Sequence, residues 1–292
     1  MNQEKNIGSV VYKTVYERIL KASDTYYSHQ DGDISFSYEI DEKYISELGK
    51  LTTVEGFEQI WNKDETQTFI NATNWVSKVL LSEKSTVIEP ICSYDLIQNV
   101  QNGLYGANCY AHAVVLNDVF RLLGFKCKYV FCLPIDYHYT DNHVVNLVYS
   151  EQKNKWMLFD SAQNLYYTNK DGSIMDLREL RKSFVEDKPV NVCLLDEFWS
   201  ALEYKEKIML QNKTLVYMMK NTYRVCCFQN AFMDRLATNR KVIQYHLVPS
   251  NYIATPFIHT YYNTRSNTKH VEIYSSDEDA FWMAPKGDYV CN

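Results

Sequence analysis

Cys109, His143 and Asp160 are the residues of this chain whose types and setting point to chemistry. A nucleophilic cysteine needs a base to take its proton and to return one to the leaving group. That base needs a third group to orient it. Cys109 stands in GLYGANCYAHAVVLNDVFRLL, residues 103–123, a glycine-rich loop running into a helical pattern. Ala113, Leu116, Phe120 and Leu123 recur at helical spacing, Asn108 is a good N-cap type, and Gly124 stands where a C-terminal cap belongs. Cys109 is thereby predicted in the first helical turn. There the helix dipole and unpaired backbone N–H groups favour thiolate, and the same groups are able to hold an oxyanion. The plain alternative for a cysteine opening an apolar helix is burial as a small hydrophobe, so its partners decide.

The partners come from a hairpin. HVVNLVY, residues 143–149, alternates with His143, Val145, Leu147 and Tyr149 on one face, and KWMLFD, residues 155–160, puts Trp156, Leu158 and Asp160 on one face. A four-residue turn over 150–153 pairs Tyr149 with Asn154. Carried along the ladder, that register sets His143 directly opposite Asp160, with Cβ atoms roughly 5 Å apart, within reach of an imidazole–carboxylate hydrogen bond.

The surrounding elements follow from the same periodicities. Residues 9–22 predict an amphipathic helix carrying Val11, Val15, Ile19 and Leu20, and Ile34, Phe36, Tyr38 and Ile40 alternate as in a strand. Residues 42–60 look helical with interruptions at Gly49 and Thr52-Thr53. Asp64 with Gln67 suggests a capping box before a helix over 65–82, and a polar connection, 83–102, leads to the cysteine loop. CKYVFCL, 127–133, is a buried strand ended by Pro134. Asp171-Gly172 makes a turn, Asp176 with Glu179 opens a helix to about Val185, residues 195–210 and 213–220 look helical, and 241–248 and 269–275 look like strands. Asp277-Glu278-Asp279 reads as a solvated turn. Lys188-Pro189 is the best dividing point, giving an N-terminal segment 1–64, a core 65–188 and a C-terminal α/β extension 189–292 packed on the core.

A chain of 292 residues with 46% hydrophobic residues has enough apolar material for a large core without disulfides, and 9 glycines with 6 prolines leave little for long flexible loops. A net charge of −6 without a basic stripe argues against nucleic acid or an anionic membrane as partner. No apolar run approaches bilayer length and the N-terminus lacks a signal-type apolar core, so a soluble cytoplasmic protein is expected. Its eight cysteines are irregularly spaced with no CxxC pair, which suggests free thiols. Trp156 and Cys226-Cys227 read as core.

GANCYAHAVVLNDVFRLLGF, NHVVNLVY and KWMLFD together resemble the transglutaminase-like superfamily: a glycine-led cysteine opening a helix, a histidine heading a strand, and an aspartate ending the next. ATNWV resembles part of the helix that precedes the cysteine there. The likeness covers about residues 65–165, and the segments NLYYTNKDGSIMDLRELRKSF, LVPSNYI and DAFWMAP are similar to bacterial members. It implies an α+β, cysteine-proteinase-like core with an antiparallel sheet packed on the nucleophile helix, plus N- and C-terminal additions. By resemblance, Cys109 is nucleophile, His143 general base and acid, and Asp160 the orienting carboxylate, working through a thioester without metal or other cofactor. The substrate would be a peptide, protein or small amide, with hydrolysis favoured over transfer to an amine; nothing in the sequence bears on oligomeric state. The Cys109 N–H supplies one oxyanion donor, and Trp75, Gln101 and Asn102 are candidates for a second. Val145 stands where many members have tryptophan, and Tyr110 and His112 replace small or acidic residues. Tyr110, His112, Tyr137 and His138 are the substrate-cleft candidates.

Three other readings compete with this one. Cys109 and His112 with Cys132, His138 or His143 offer zinc-type ligands, but their spacing matches no compact zinc pattern. A binding module on an idle version of the fold would retain the same residues. Acyl transfer from a coenzyme thioester, as in arylamine acetyltransferases, would call for an arginine-glycine-glycine lead-in that this chain lacks.

Overall fold

The computed structural model describes residues 2–26, 34–40, 42–81, 84, 92–136, 141–195, 202–232, 241–252, 257–264 and 267–285. Its helices are α1 (Asn2–Ala22), α2 (Glu42–Gly49), α3 (Glu65–Val79), α4 (Ser93–Gln101), α5 (Cys109–Leu122), α6 (Leu177–Val185), α7 (Tyr204–Asn221) and α8 (Glu278–Phe281). The strands are β1 (Cys127–Leu133), β2 (His143–Ser150), β3 (Lys155–Asp160), β4 (Leu165–Thr168), β5 (Asn191–Leu194), β6 (Arg224–Phe228), β7 (Lys241–Leu247), β8 (Phe257–Asn263) and β9 (Thr268–Ser275). They form one sheet in the order β5-β4-β3-β2-β1-β6-β7-β9-β8, antiparallel except for β7 beside β9. This is an α+β fold with helices on both faces of the sheet. Among the described residues no helix is long and apolar enough to cross a membrane.

Alternation along the central strands sorts side chains into two cores. Val130, Val145, Leu147, Trp156, Leu158, Val225 and Leu247 join residues of α1, α6 and α7 on one face. Val148, Met157 and Phe159 meet α3, α4 and α5 on the other. Because β2 and β3 are covered on both sides, every residue of β2 is buried.

Several expectations change at this level. Residues 34–40 run extended without joining the sheet, tied by the Ser37 N–H to the Gln229 carbonyl. Their alternation instead lays Phe36 against Tyr245 and Phe281, and Tyr38 against Trp156, over the face of the sheet. Asp64 does cap α3 through the Thr66 N–H, but Gln67 donates to Asn71 one turn on, so no reciprocal box forms. The connection 83–102 contains α4, whose apolar Leu96, Ile97 and Val100 pack against α3 and α5. The described part of 195–220 is one helix from Tyr204. Asp277 is a buried N-cap for α8, and Glu278 and Asp279 both pair with Arg178 rather than standing free in solvent. β4, β5, β6 and β8 were not anticipated: each is short or lacks clean alternation, and sheet neighbours define it. The box of Asp176 and Glu179 and the burial of Trp156, Cys226 and Cys227 are as expected.

The hairpin register is also corrected. Observed pairs are Tyr149 with Trp156 and Asn146 with Phe159, two residues away from the expected ladder. Ser150 stays in the strand, and the turn is Glu151 to Asn154, closed by Asn154 at φ 51°. A slip of two preserves the facing of every side chain. His143 therefore lies diagonal to Asp160 on the same face instead of directly opposite.

Candidate active site

The nucleophile candidate is delivered by a tightly specified loop. At Gly106 an added Cβ would collide with the Lys84 carbonyl, so the lead-in to Cys109 requires glycine. Asn108 then adopts extended geometry and accepts from the Ala111 N–H at 2.9 Å, starting α5 at Cys109. Beyond it, Ala111, Val115, Leu116, Val119 and Phe120 fill the core. The helix closes with Gly124 at φ 86°, its N–H bonded to Arg121 and the Phe125 N–H to Phe120. Cys109 is thus anchored at both ends of its helix while its own residue stays half-buried.

His143 begins β2 and Asp160 ends β3, so the two lie at neighbouring strand ends. His143 Nε2 is 2.6 Å from Asp160 Oδ2, and both side chains are almost fully buried. Asp160 Oδ1 accepts from the Gln163 N–H at 3.0 Å, which fixes the carboxylate. With Nε2 committed to Asp160, Nδ1 is the nitrogen left for a second partner, and Cys109 is among the groups that act on this ring. Burial alone would lower the pKa of His143. The charge and hydrogen bond of Asp160, with the bond to Cys109, overcome that and raise it to about 10. At neutral pH the imidazole therefore carries its proton.

His112, one turn along α5, behaves in the opposite sense. Burial lowers it to about 4, against the smaller opposing pull of Asp160 and a hydrogen bond to the Ser161 backbone, and His143 adds to the lowering. It is a neutral imidazole beside a charged one. Tyr110 is half-buried and stacks on Phe131 with ring centroids 5.7 Å apart. It forms one wall next to Cys109 with Phe131 and Phe228.

Of the expected oxyanion donors, Trp75 is ruled out: its indole N–H donates to the Glu55 carbonyl at 2.9 Å and its ring packs on Phe57. Gln101 ends α4 and Asn102 caps it, both exposed, with the glycine loop between them and Cys109. Tyr137 and His138 lie outside the described residues. Val145 is a buried core residue. Among the described residues no group of three or more His, Cys, Asp or Glu is arranged to hold a metal ion.

Sequence reasoning reads helical segments here but misses what α7 does for His143. The Tyr217 and His143 rings meet edge to face with centroids 5.4 Å apart, and the Tyr217 hydroxyl donates to Asp141 Oδ1 and to the Asn142 carbonyl, each at 3.1 Å. Lys220, one turn later, pairs with the Asp141 carboxylate. Asp141 and Asn142 lead directly into His143, so α7 holds the approach to His143. Nothing in the local pattern of NKTLVYMMKN marks this, because the contact joins residues more than 70 positions apart.

Residues 59–161, a segment holding Cys109, His143 and Asp160, match the family model of the transglutaminase-like superfamily. Among solved structures, a candidate cysteine protease from Cytophaga hutchinsonii is similar at 14% identity and a TM-score of 0.31. The alignment covers 55% of this chain and 55% of that one, so this chain spans about half the length of its structural neighbour, a likeness too loose to carry argument. No curated protein matches.

Proposed function

We propose, from a chain whose residues 59–161 form a transglutaminase-like domain, that it is a cysteine hydrolase acting on amide bonds through a thioester. The observation carrying this reading is the buried His143–Asp160 pair at 2.6 Å, with Cys109, which opens a helix, among the groups that raise the His143 pKa. The Cys109 thiolate attacks the amide carbonyl, and the Cys109 backbone N–H stabilises the oxyanion. As the C–N bond breaks, His143 gives its proton to the departing amine, leaving acyl-Cys109. His143 then takes a proton from water, the hydroxide adds to the thioester carbonyl, the C–S bond breaks, and carboxylic acid and thiolate are released. An amine in place of water would give a new amide by the same steps.

The test is a panel of acyl-amide substrates assayed for amine release, with mass spectrometry of the quenched protein. An acyl adduct on Cys109 and loss of turnover in Cys109→Ala support the proposal. Turnover that survives Cys109→Ala sinks it. Added alkylamine measures the partition: a dominant amide product would make the enzyme a transferase.

A further inference from the structure

His112 is a buried polar residue of the site to which the acyl-transfer steps give no task. It stands three residues after Cys109, so the two side chains lie on one face of α5 with Cβ atoms about 5–6 Å apart. Its neighbours Ala111, Ala113, Val114 and Val115 are buried and apolar, which makes a histidine here the exception. Nδ1 has no hydrogen-bond partner among the described residues, while the backbone of Ser161 acts on the ring as a hydrogen-bond partner. That contact favours the protonated ring, so the ring donates and the backbone group is the carbonyl. With Nδ1 unpartnered, the donating nitrogen is Nε2.

Ser161 directly follows Asp160 at the end of β3. Its hydroxyl is buried without a hydrogen-bond partner among the described residues, so its side chain does not anchor this strand end. α5 rests on β1 and β2, and His112 reaches past them to the next strand. The helix that opens with Cys109 and the strand that ends with Asp160 are thereby joined at the site itself, beside the link that runs through His143. The charged groups acting on the ring are Asp160, which draws a proton toward it, and His143, which repels one. Burial decides the outcome and keeps the ring neutral. A second cation here would compete with His143 for Asp160; a neutral ring donates its hydrogen bond without doing so.

We infer that His112 is a positioning residue: its neutral ring ties the end of β3 to the first turn of α5, and so holds the Asp160 carboxylate, and through it His143, in place against the Cys109 sulfur. This role presupposes the Cys109 chemistry proposed above and gives His112 no contact with substrate. A ring that only filled space would be replaced without loss by an apolar side chain of similar size. A ring that positions through its N–H would be replaced only by another donor.

Two variants of the full chain separate these cases. His112→Leu keeps much of the volume and has no donor, whereas His112→Gln carries an N–H that can reach the same carbonyl. Iodoacetamide rates at pH 6 are compared at Cys109, with Cys92 and Cys193 as references, on variants whose circular dichroism matches the parent. His112→Leu should slow Cys109 about tenfold, the loss of one hydrogen bond, and leave Cys92 and Cys193 unchanged, while His112→Gln stays within about threefold of the parent. With an amide substrate, the loss in His112→Leu should fall on kcat and leave KM unchanged. Nitrogen-15 NMR of the unsubstituted protein needs neither variant to fold, and should find His112 as the neutral Nε2–H tautomer at pH 6. Equal slowing by both variants, or a His112 ring that is imidazolium or Nδ1–H at pH 6, would overturn the role. Selective labelling of Cys109 in the parent that His112→Leu leaves intact would remove the positioning role alone. Labelling of Cys109 in the parent no faster than that of Cys92 and Cys193 would bring down the hydrolase proposal with it.

Discussion

Two buried histidines in one sheet, His143 on β2 and His246 on β7, are held in different protonation states, one charged and one neutral. Both are nearly inaccessible and both lie against a tyrosine ring, Tyr217 edge-on at 5.4 Å and Tyr274 stacked at 4.3 Å. For His246, burial and the nearby Arg224 charge push the pKa down to about 3, and neither ring nitrogen has a hydrogen-bond partner among the described residues. For His143, the same burial is overridden by a carboxylate at 2.6 Å and by the thiol of Cys109. Burial makes an imidazole neutral; an acid partner converts the same environment into one that keeps the proton. An imidazolium beside a carboxylate and a cysteine has a proton to donate, whereas the neutral imidazole of His246 does not.

The largest expected effect comes from erasing that difference. Asp160→Asn keeps the shape but removes the charge, so His143 should revert to a neutral ring. Turnover should drop about 10²- to 10⁴-fold, as for loss of the orienting carboxylate in other nucleophile–histidine sites. Kinetics on a variant with unchanged circular dichroism measures this, and activity within threefold of the parent would make Asp160 purely structural.

Titration sharpens the comparison next. His143 holds its proton more tightly folded than unfolded, so its stabilising contribution is complete below the unfolded value near 6.5 and is lost as pH rises toward about 10. The folded state instead resists protonation of His246. Its contribution is complete above about pH 6.5 and is lost as pH falls toward about 3. Proton NMR should therefore find His143 still imidazolium at pH 8 and His246 still neutral at pH 5; two rings titrating together near 6.5 would refute the contrast.

The smallest effect concerns the ring beside each histidine. Tyr217→Phe keeps the edge contact but deletes the hydroxyl bonds to Asp141 and Asn142. It should lower turnover several-fold, about 1 kcal/mol in barrier, while Tyr274→Phe leaves it unchanged. Equal effects of the two would show that neither tyrosine positions the base.

The sequence made local features legible and left non-local ones hidden. α5, β1, β2 and β3 follow from periodicity and caps because their patterns are written within 6 to 14 residues. The His143–Asp160 pairing survived an error in turn placement because the slip was even and kept both side chains on one face. Residues 34–40 show the converse: alternation records which side chains are buried, and a segment lying over a sheet face satisfies it as well as a strand does. Trp75 failed as an oxyanion donor because its partner, Glu55, comes from a preceding turn whose approach no local pattern encodes. The insertion of β6 beside β1 and the placing of Tyr217 over His143 depend on chain brought back from far along the sequence.

The central claim, an activated thiol at Cys109, is tested most directly by iodoacetamide labelling of the native protein across pH 5 to 9, with each modified site identified by mass spectrometry. Burial pushes the thiol of Cys127 up to about 12, and those of Cys132, Cys226 and Cys227 are likewise raised. Cys92 and Cys193, half-buried like Cys109, are the internal controls. The account predicts that at pH 6 Cys109 labels at least tenfold faster than Cys92 and Cys193, and that His143→Ala slows it at least tenfold. Labelling of Cys109 that tracks the two controls and ignores His143 would contradict it.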